Sequence, residues 1–221
     1  MNKKITFPLT DLYGITAEEY SRGRTNLEVV AAMIRAGIKV IQYRQKEGSL
    51  REKYRECLAL RKMTQDAGVI FIVNDHLDLA LAVGADGVHV GQDDLPVPEI
   101  RRLAGENFLI GLSTHSPAQA REALALGVDY LGVGPVFATA TKKDVVAPVG
   151  LTYVEYVARN IPLPGVAIGG IKEDNLGEVL ARGARCVALV TEIVGACDIG
   201  GKIARLKEII ARTRQPREQG S

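Results

Sequence analysis

The chain has 221 residues, 47% hydrophobic and 24% charged, with a net charge of +2. This is globular composition with room for one large domain or two small ones, and it excludes a disordered chain. No dense Lys/Arg run makes a basic stripe and no apolar run approaches the roughly 18 residues of a membrane span, so neither nucleic acid nor a membrane is an expected partner.

Cys57, Cys186 and Cys197 lack the paired spacing of a disulfide framework or a metal site and read as free thiols. Lys3 and Lys4 precede only a short apolar stretch before Pro8 and Asp11, less than a secretory signal needs, and a cytoplasmic location is expected.

In chain order, Leu12-Tyr13-Gly14-Ile15 opens as a strand and a helical pattern follows at 26–36. Gly37-Ile38-Lys39-Val40-Ile41 then introduces a layout that recurs at Gly84-Ala85-Asp86-Gly87-Val88, Gly127-Val128-Asp129-Tyr130-Leu131 and Gly183-Ala184-Arg185-Cys186-Val187. In each, a helix ends at Gly, two residues follow, and an apolar strand begins; Gly suits the left-handed position after a helix. Between these units lie further strand candidates, Ile70-Phe71-Ile72-Val73, Leu109-Ile110-Gly111-Leu112 and Gly165-Val166-Ala167-Ile168. The remaining helices fall at 50–67, 77–82, 96–104, 117–126, 152–160, 172–182 and 200–213. Eight strands alternating with helices predict a parallel sheet with right-handed crossovers, and in this length a single compact α/β (β/α)8 TIM barrel over 1–214. An open doubly wound sheet is the competitor, but no G-x-G-x-x-G follows the first strand. Residues 215–221 read as a disordered tail.

Function in such a barrel gathers at the carboxyl ends of the strands. The second strand runs into Gln42-Tyr43-Arg44-Gln45-Lys46, where a two-residue period puts Gln42, Arg44 and Lys46 on one face. Asn74-Asp75 ends the third strand and Gln92-Asp93-Asp94 follows the fourth. Carboxylates at neighbouring strand ends suit a hard cation that also takes substrate phosphate, although Asp75 and Asp94 could instead serve the helices that follow them. Ser113 shares a face with Leu109 and Gly111, and Ser116 is the expected helix cap. His115 is a possible proton shuttle, with a structural role as the alternative. After the sixth strand, a long loop carries Thr139-Ala140-Thr141-Lys142, two hydroxyls and a cation that could grasp phosphate. Gly169-Gly170 and Val190-Thr191 end the last two strands, where many barrels bind phosphate. One phosphate cradle plus a separate group of cations, acids and hydroxyls predicts two phosphorylated small-molecule substrates, one a diphosphate with magnesium. No G-x-S-x-G elbow and no Schiff-base lysine is evident.

Over residues 9–212 the sequence resembles the thiamine-phosphate synthase family. The likeness rests on Gln42-Tyr43-Arg44-Gln45-Lys46, Asn74-Asp75, Gly87-Val88-His89-Val90-Gly91-Gln92-Asp93-Asp94, Gly111-Leu112-Ser113-Thr114-His115, Gly132-Val133-Gly134-Pro135-Val136-Phe137, Thr139-Ala140-Thr141-Lys142 and Ile168-Gly169-Gly170-Ile171. The resemblance implies that the run Gln42, Tyr43, Arg44, Gln45, Lys46, with Asn74, Ser113 and Lys142, contacts an aminopyrimidine diphosphate. It implies that Asp75 and Asp94 hold Mg2+, and that Thr139, Ala140, Thr141, Gly170, Val190 and Thr191 meet a thiazole phosphate. Arg44, Lys46, Ser113 and Lys142 would carry catalysis by favouring departure of pyrophosphate. The implied products are thiamine phosphate and pyrophosphate, formed through a pyrimidine carbocation. Two departures stand out: Ala138 where the family often has Pro, and Thr191-Glu192 where it often has Ser-Ala. A thiazole tautomerase of the same barrel type and a non-catalytic phosphate-binding barrel are the alternatives.

Overall fold

The computed structural model describes residues 5–139 and 146–214. Its elements run β1 (Gly14–Ile15), α1 (Asn26–Arg35), β2 (Val40–Tyr43), α2 (Leu50–Asp66), β3 (Ile70–Asn74), α3 (Leu77–Ala82), β4 (Gly87–Val90), α4 (Val97–Ala104) and β5 (Leu109–Thr114). They continue with α5 (Pro117–Leu126), β6 (Tyr130–Val133), α6 (Gly150–Asn160), β7 (Gly165–Ile168), α7 (Leu176–Ala181), β8 (Cys186–Ala188), α8 (Val190–Val194) and α9 (Ile199–Arg214). The eight strands pair in parallel in sequence order. Leu12 pairs with Val187, the Tyr13 N–H donates to the Val187 carbonyl and the Val187 N–H donates to the Asp11 carbonyl, which closes the sheet into a barrel.

Local chemistry explains the boundaries. Thr25 and Ser49 start α1 and α2 with reciprocal capping boxes to Glu28 and Glu52, and the Ser116 hydroxyl caps α5 as the sequence predicts. The repeat glycines Gly37, Gly84, Gly127 and Gly183 all have left-handed φ, between 65° and 91°. The seventh helix begins later than the pattern suggests, at Leu176, because the Asn175 side chain accepts the Lys172 N–H and holds 172–175 in a turn. The five-residue α8 was not foreseen; the sequence shows only a strand end there.

Alternation along the strands divides the interior into two cores. Outward-facing Ile41, Phe71, Val88, Ile110, Leu131 and Val187 pack under the helices. Tyr13, Val40, Ile72, Leu109, Tyr130, Val166 and Cys186 fill the lumen, and Phe7 stacks on Tyr130 with ring centroids 4.4 Å apart. Two latches recur at the amino-terminal rim. Arg61 of α2 holds Asp86, which accepts the Phe71 N–H; Arg101 of α4 holds Asp129, which accepts the Ile110 N–H. Cys57 and Cys186 are buried, and desolvation pushes the Cys57 thiol up to about 12. No helix among the described residues is long and apolar enough to cross a membrane.

Candidate active site at the barrel mouth

The β2 end is built to hold two cations in place. The buried Thr16 hydroxyl accepts the Arg44 N–H at 2.8 Å and donates to the Arg44 carbonyl at 3.2 Å. The ammonium of Lys53, itself buried, donates to the Lys46 carbonyl at 3.1 Å. Gln45, Lys46, Lys53, Asn74, Asp75 and His76 line a cavity of about 270 Å³, so the β2 and β3 ends share one recess. Among the described residues, no hydrogen bond or ion pair engages the Arg44 guanidinium or the Lys46 ammonium.

The strict alternation expected for Gln42–Lys46 lapses after Tyr43, where β2 ends. Gln42 points into the lumen and donates to the Tyr13 hydroxyl at 3.1 Å. Gln45, expected on the opposite face from Lys46, lines the cavity beside it and donates to Glu18 at 2.6 Å. Tyr43 faces away from Gln42, as the two-residue period has it: its ring lies under the helices and its hydroxyl donates to Glu56 of α2 at 2.7 Å. Its side chain anchors the β2–α2 seam, and burial followed by the Glu56 carboxylate raises its pKa, so the phenol stays protonated.

Neither Asp75 nor Asp94 caps a helix. The residue ahead of α3 is His76 and the one ahead of α4 is Pro96, and neither helix has a side-chain cap. Asp75 instead sits at φ = 63° in a three-residue turn closed by the His76 N–H onto the Asn74 carbonyl at 2.7 Å. Non-glycine residues in this region carry strain, and such strain collects at functional positions. The Asp75 N–H donates to the His89 carbonyl, and the Asp94 carboxylate accepts the Gly91 N–H at 2.6 Å, two residues further along the same chain segment. Both acids are solvent-exposed. Among the described residues, no group of three or more His, Cys, Asp or Glu side chains is arranged to hold a metal. Asp75 lines the recess, and exposed carboxylates are the oxygen donors that suit a hard cation which completes its shell with water and other oxygen ligands.

Across the lumen, Ser113 faces inward as predicted, its hydroxyl 3.0 Å from His89 Nε2. His89 Nδ1 lies 3.1 Å from the Tyr130 hydroxyl, which is 2.8 Å from that of Tyr13. His115 is tied through Nδ1 to the Gly134 carbonyl and its N–H donates to Gln119, a structural placement.

On the far side, the Phe137 N–H donates to the Gly169 carbonyl, and the Ala138 carbonyl lies against Gly170, at φ = 64°, so that a Cβ there would come within 2.6 Å of it. Thr139, half-buried, therefore begins its loop beside Gly170. Ala140, Thr141 and Lys142 lie outside the described residues. Val190 and Thr191 form the first turn of α8 rather than a strand end, where backbone N–H groups lack intrahelical acceptors. Lys202 of α9 joins the segments that follow β7 and β8, donating to Glu173 at 2.6 Å and to Glu192 at 3.2 Å. The carboxylate of Glu192 thus meets a cation.

A family model described as thiamine monophosphate synthase matches residues 12–193. The chain belongs to the thiamine monophosphate synthase family. Thiamine-phosphate synthesis, a transferase reaction, is the activity this membership assigns. The thiamine-phosphate synthase of Pelotomaculum thermopropionicum is 68% identical over 202 residues, 91% of this chain and 93% of the relative. That of Caldicellulosiruptor bescii is 56% identical over 204 residues, 92% and 93% of the two chains. Among solved structures, a thiamine phosphate pyrophosphorylase from Pyrococcus furiosus superposes with a TM-score of 0.84 at 35% identity, covering 92% of this chain and 96% of that one. Sequence reasoning missed several residues that hydrogen-bond at or below this mouth: Thr16, Lys53, Tyr13, His89 and Tyr130. For the last three, a two-residue period traced along every strand, rather than only at strand ends, was the available signal.

Proposed function

We propose that the barrel joins an aminopyrimidine methyl diphosphate to a thiazole phosphate by ionisation of the pyrimidine–diphosphate bond. The observation that carries this reading is the recess shared by Lys46, Asn74 and Asp75 at the ends of β2 and β3. Negative charge grows on the leaving oxygen as the C–O bond breaks, so cations fixed before substrate arrives stabilise the transition state more than the ground state. Thr16 and Lys53 provide that fixing through the backbone of Arg44 and Lys46. Ser113 and Lys142 would add a hydroxyl and a further cation to the same diphosphate.

Asp75 and Asp94 would hold Mg2+. When bound, the ion would neutralise pyrophosphate as it departs. Thr139, Ala140, Thr141, Gly170, Val190 and Thr191 would receive the thiazole phosphate, whose ring nitrogen captures the pyrimidine methylene. Electron release from the aminopyrimidine supports the cation, so the protein needs no nucleophile. The tautomerase alternative loses its main handle, because His115 is engaged with Gly134.

The test is product formation from both purified substrates, with and without EDTA. Thiamine phosphate should form only with the divalent ion, and Arg44→Ala or Lys46→Ala should slow turnover by about 10- to 150-fold, the worth of a charge-assisted contact made in the transition state. Equal turnover with EDTA would remove the metal from the scheme. Unchanged turnover in both cation variants would remove the clamp.

A further inference from the structure

Polar atoms thread the floor of the lumen from one wall of the mouth to the other. Gln42 donates to Tyr13, Tyr13 meets Tyr130, Tyr130 meets His89, and His89 meets Ser113, with successive distances of 3.1, 2.8, 3.1 and 3.0 Å. Tyr13 and Tyr130 are 2% and 1% exposed, and burial raises both pKa values, so each keeps its proton. Space for the imidazole is reserved: a Cβ at Gly111 would fall 2.4 Å from His89 Nδ1, and one at Gly132 would fall 3.2 Å from Nε2. Apolar side chains could fill this volume without any polar network to satisfy. The two ends of the chain, Gln42 and Ser113, are both expected diphosphate-substrate contacts.

The donors set a direction. The Gln42 amide nitrogen has only protons to give, so Tyr13 accepts and its own proton goes to Tyr130. Tyr130 then gives its proton to His89 Nδ1. A neutral imidazole that accepts at Nδ1 carries its proton on Nε2, and that proton goes to Ser113 Oγ. The Ser113 proton is left over, directed to the mouth. Reversing the chain would turn a Ser113 lone pair toward the anion and repel it.

We propose that Tyr13, Tyr130 and His89 are positioning residues whose hydrogen-bond chain sets the Ser113 hydroxyl as a donor to the departing diphosphate. This rests on the reading of Ser113 as a contact of that group. His89 touches no substrate atom in this scheme and acts through Ser113.

Two measurements test it. In ligand-free enzyme labelled with 15N-histidine, His89 should show the Nε2–H tautomer at neutral pH. Its signals are assigned by their loss in His89→Gln or, should that variant not fold, by elimination with His76→Gln and His115→Gln. The Nδ1–H tautomer would overturn the proposed direction and the proposal with it. In kinetics, His89→Leu should lower kcat about 10- to 100-fold, as for a lost charge-assisted hydrogen bond, with KM for both substrates nearly unchanged. His89→Gln, which keeps a donor toward Ser113, should recover most of that loss. In a Ser113→Ala background, His89→Leu should cost at most about twofold more, because coupled residues are not additive. Fully additive losses would sink the chain while leaving the diphosphate reading intact. An unchanged kcat in Ser113→Ala alone would sink that reading of Ser113 and this proposal together.

Discussion

Gly111→Ala tests how tightly the lumen is packed around His89 and Tyr130. Its added methyl would lie 2.2 Å from Tyr130 Cζ and 2.4 Å from His89 Nδ1, a full ångström or more inside ordinary contact. Gly111 lies within β5 and its φ is not positive, so the backbone accepts alanine. The cost comes from two rings that must move in a filled core, roughly 1–3 kcal/mol. Each of the two His89 hydrogen bonds pulled out of line adds about 1 kcal/mol. The expected loss is therefore about 3–5 kcal/mol. Urea unfolding reads this value directly, and kcat of the folded fraction should fall as well. Gly84→Ala is the control: φ is 65° and nothing lies within 4 Å of its Cβ, so only left-handed backbone strain of about 1–2 kcal/mol applies. A Gly111→Ala protein within about 0.5 kcal/mol of wild type, the range of neutral substitutions, would refute the packing argument.

Asp75→Gly relieves left-handed backbone strain, yet it should remove most of the turnover. Retained activity would show that this carboxylate is not needed. Asp129→Ala removes one oxygen that accepts both the Ile110 N–H and Arg101, and thermal or urea unfolding should show a loss of about 2–4 kcal/mol with kcat per folded molecule unchanged. A matching fall in kcat would place this latch in communication with the mouth. Lys202→Met removes the cation that meets Glu192; if the loops after β7 and β8 receive the thiazole phosphate as proposed, KM for that substrate should rise more than for the diphosphate, and equal effects on both would contradict the proposal. The Lys202 ammonium holds the Glu173 carboxyl below its ordinary value of 4.5, a group lowered on folding. Its contribution is present above that value and fades as pH falls through the lowered one. The stability gap between wild type and Lys202→Met should close over the same acid range in pH-dependent unfolding, and a gap that widens there would reverse the assignment.

The strand count, helix order and barrel closure were legible because period and turn chemistry repeat: four helix-ending glycines share one layout and one backbone region. That Lys46, Asn74 and Asp75 share one recess was legible because strand ends in a barrel converge by topology. Gln45 was misplaced because alternation was extended past Tyr43, the end of β2, where the chain leaves the sheet and Gln45 turns to the cavity. Asp75 and Asp94 could not be separated from helix caps in sequence, since capping depends on where the first helical N–H groups point. Lys53 is hidden for a related reason. It sits among the charges of α2, and only the return of that helix beneath the β2 loop brings its ammonium to the Lys46 carbonyl.

The Arg61–Asp86 and Arg101–Asp129 latches stand at the opposite rim from the chemistry, each bolting a helix and a strand start to the next strand. Durability and reactivity are thereby assigned to different ends of the same strands. A lineage could trade residues around the opening, and with them the preferred thiazole or pyrimidine, without loosening the frame that keeps the barrel shut.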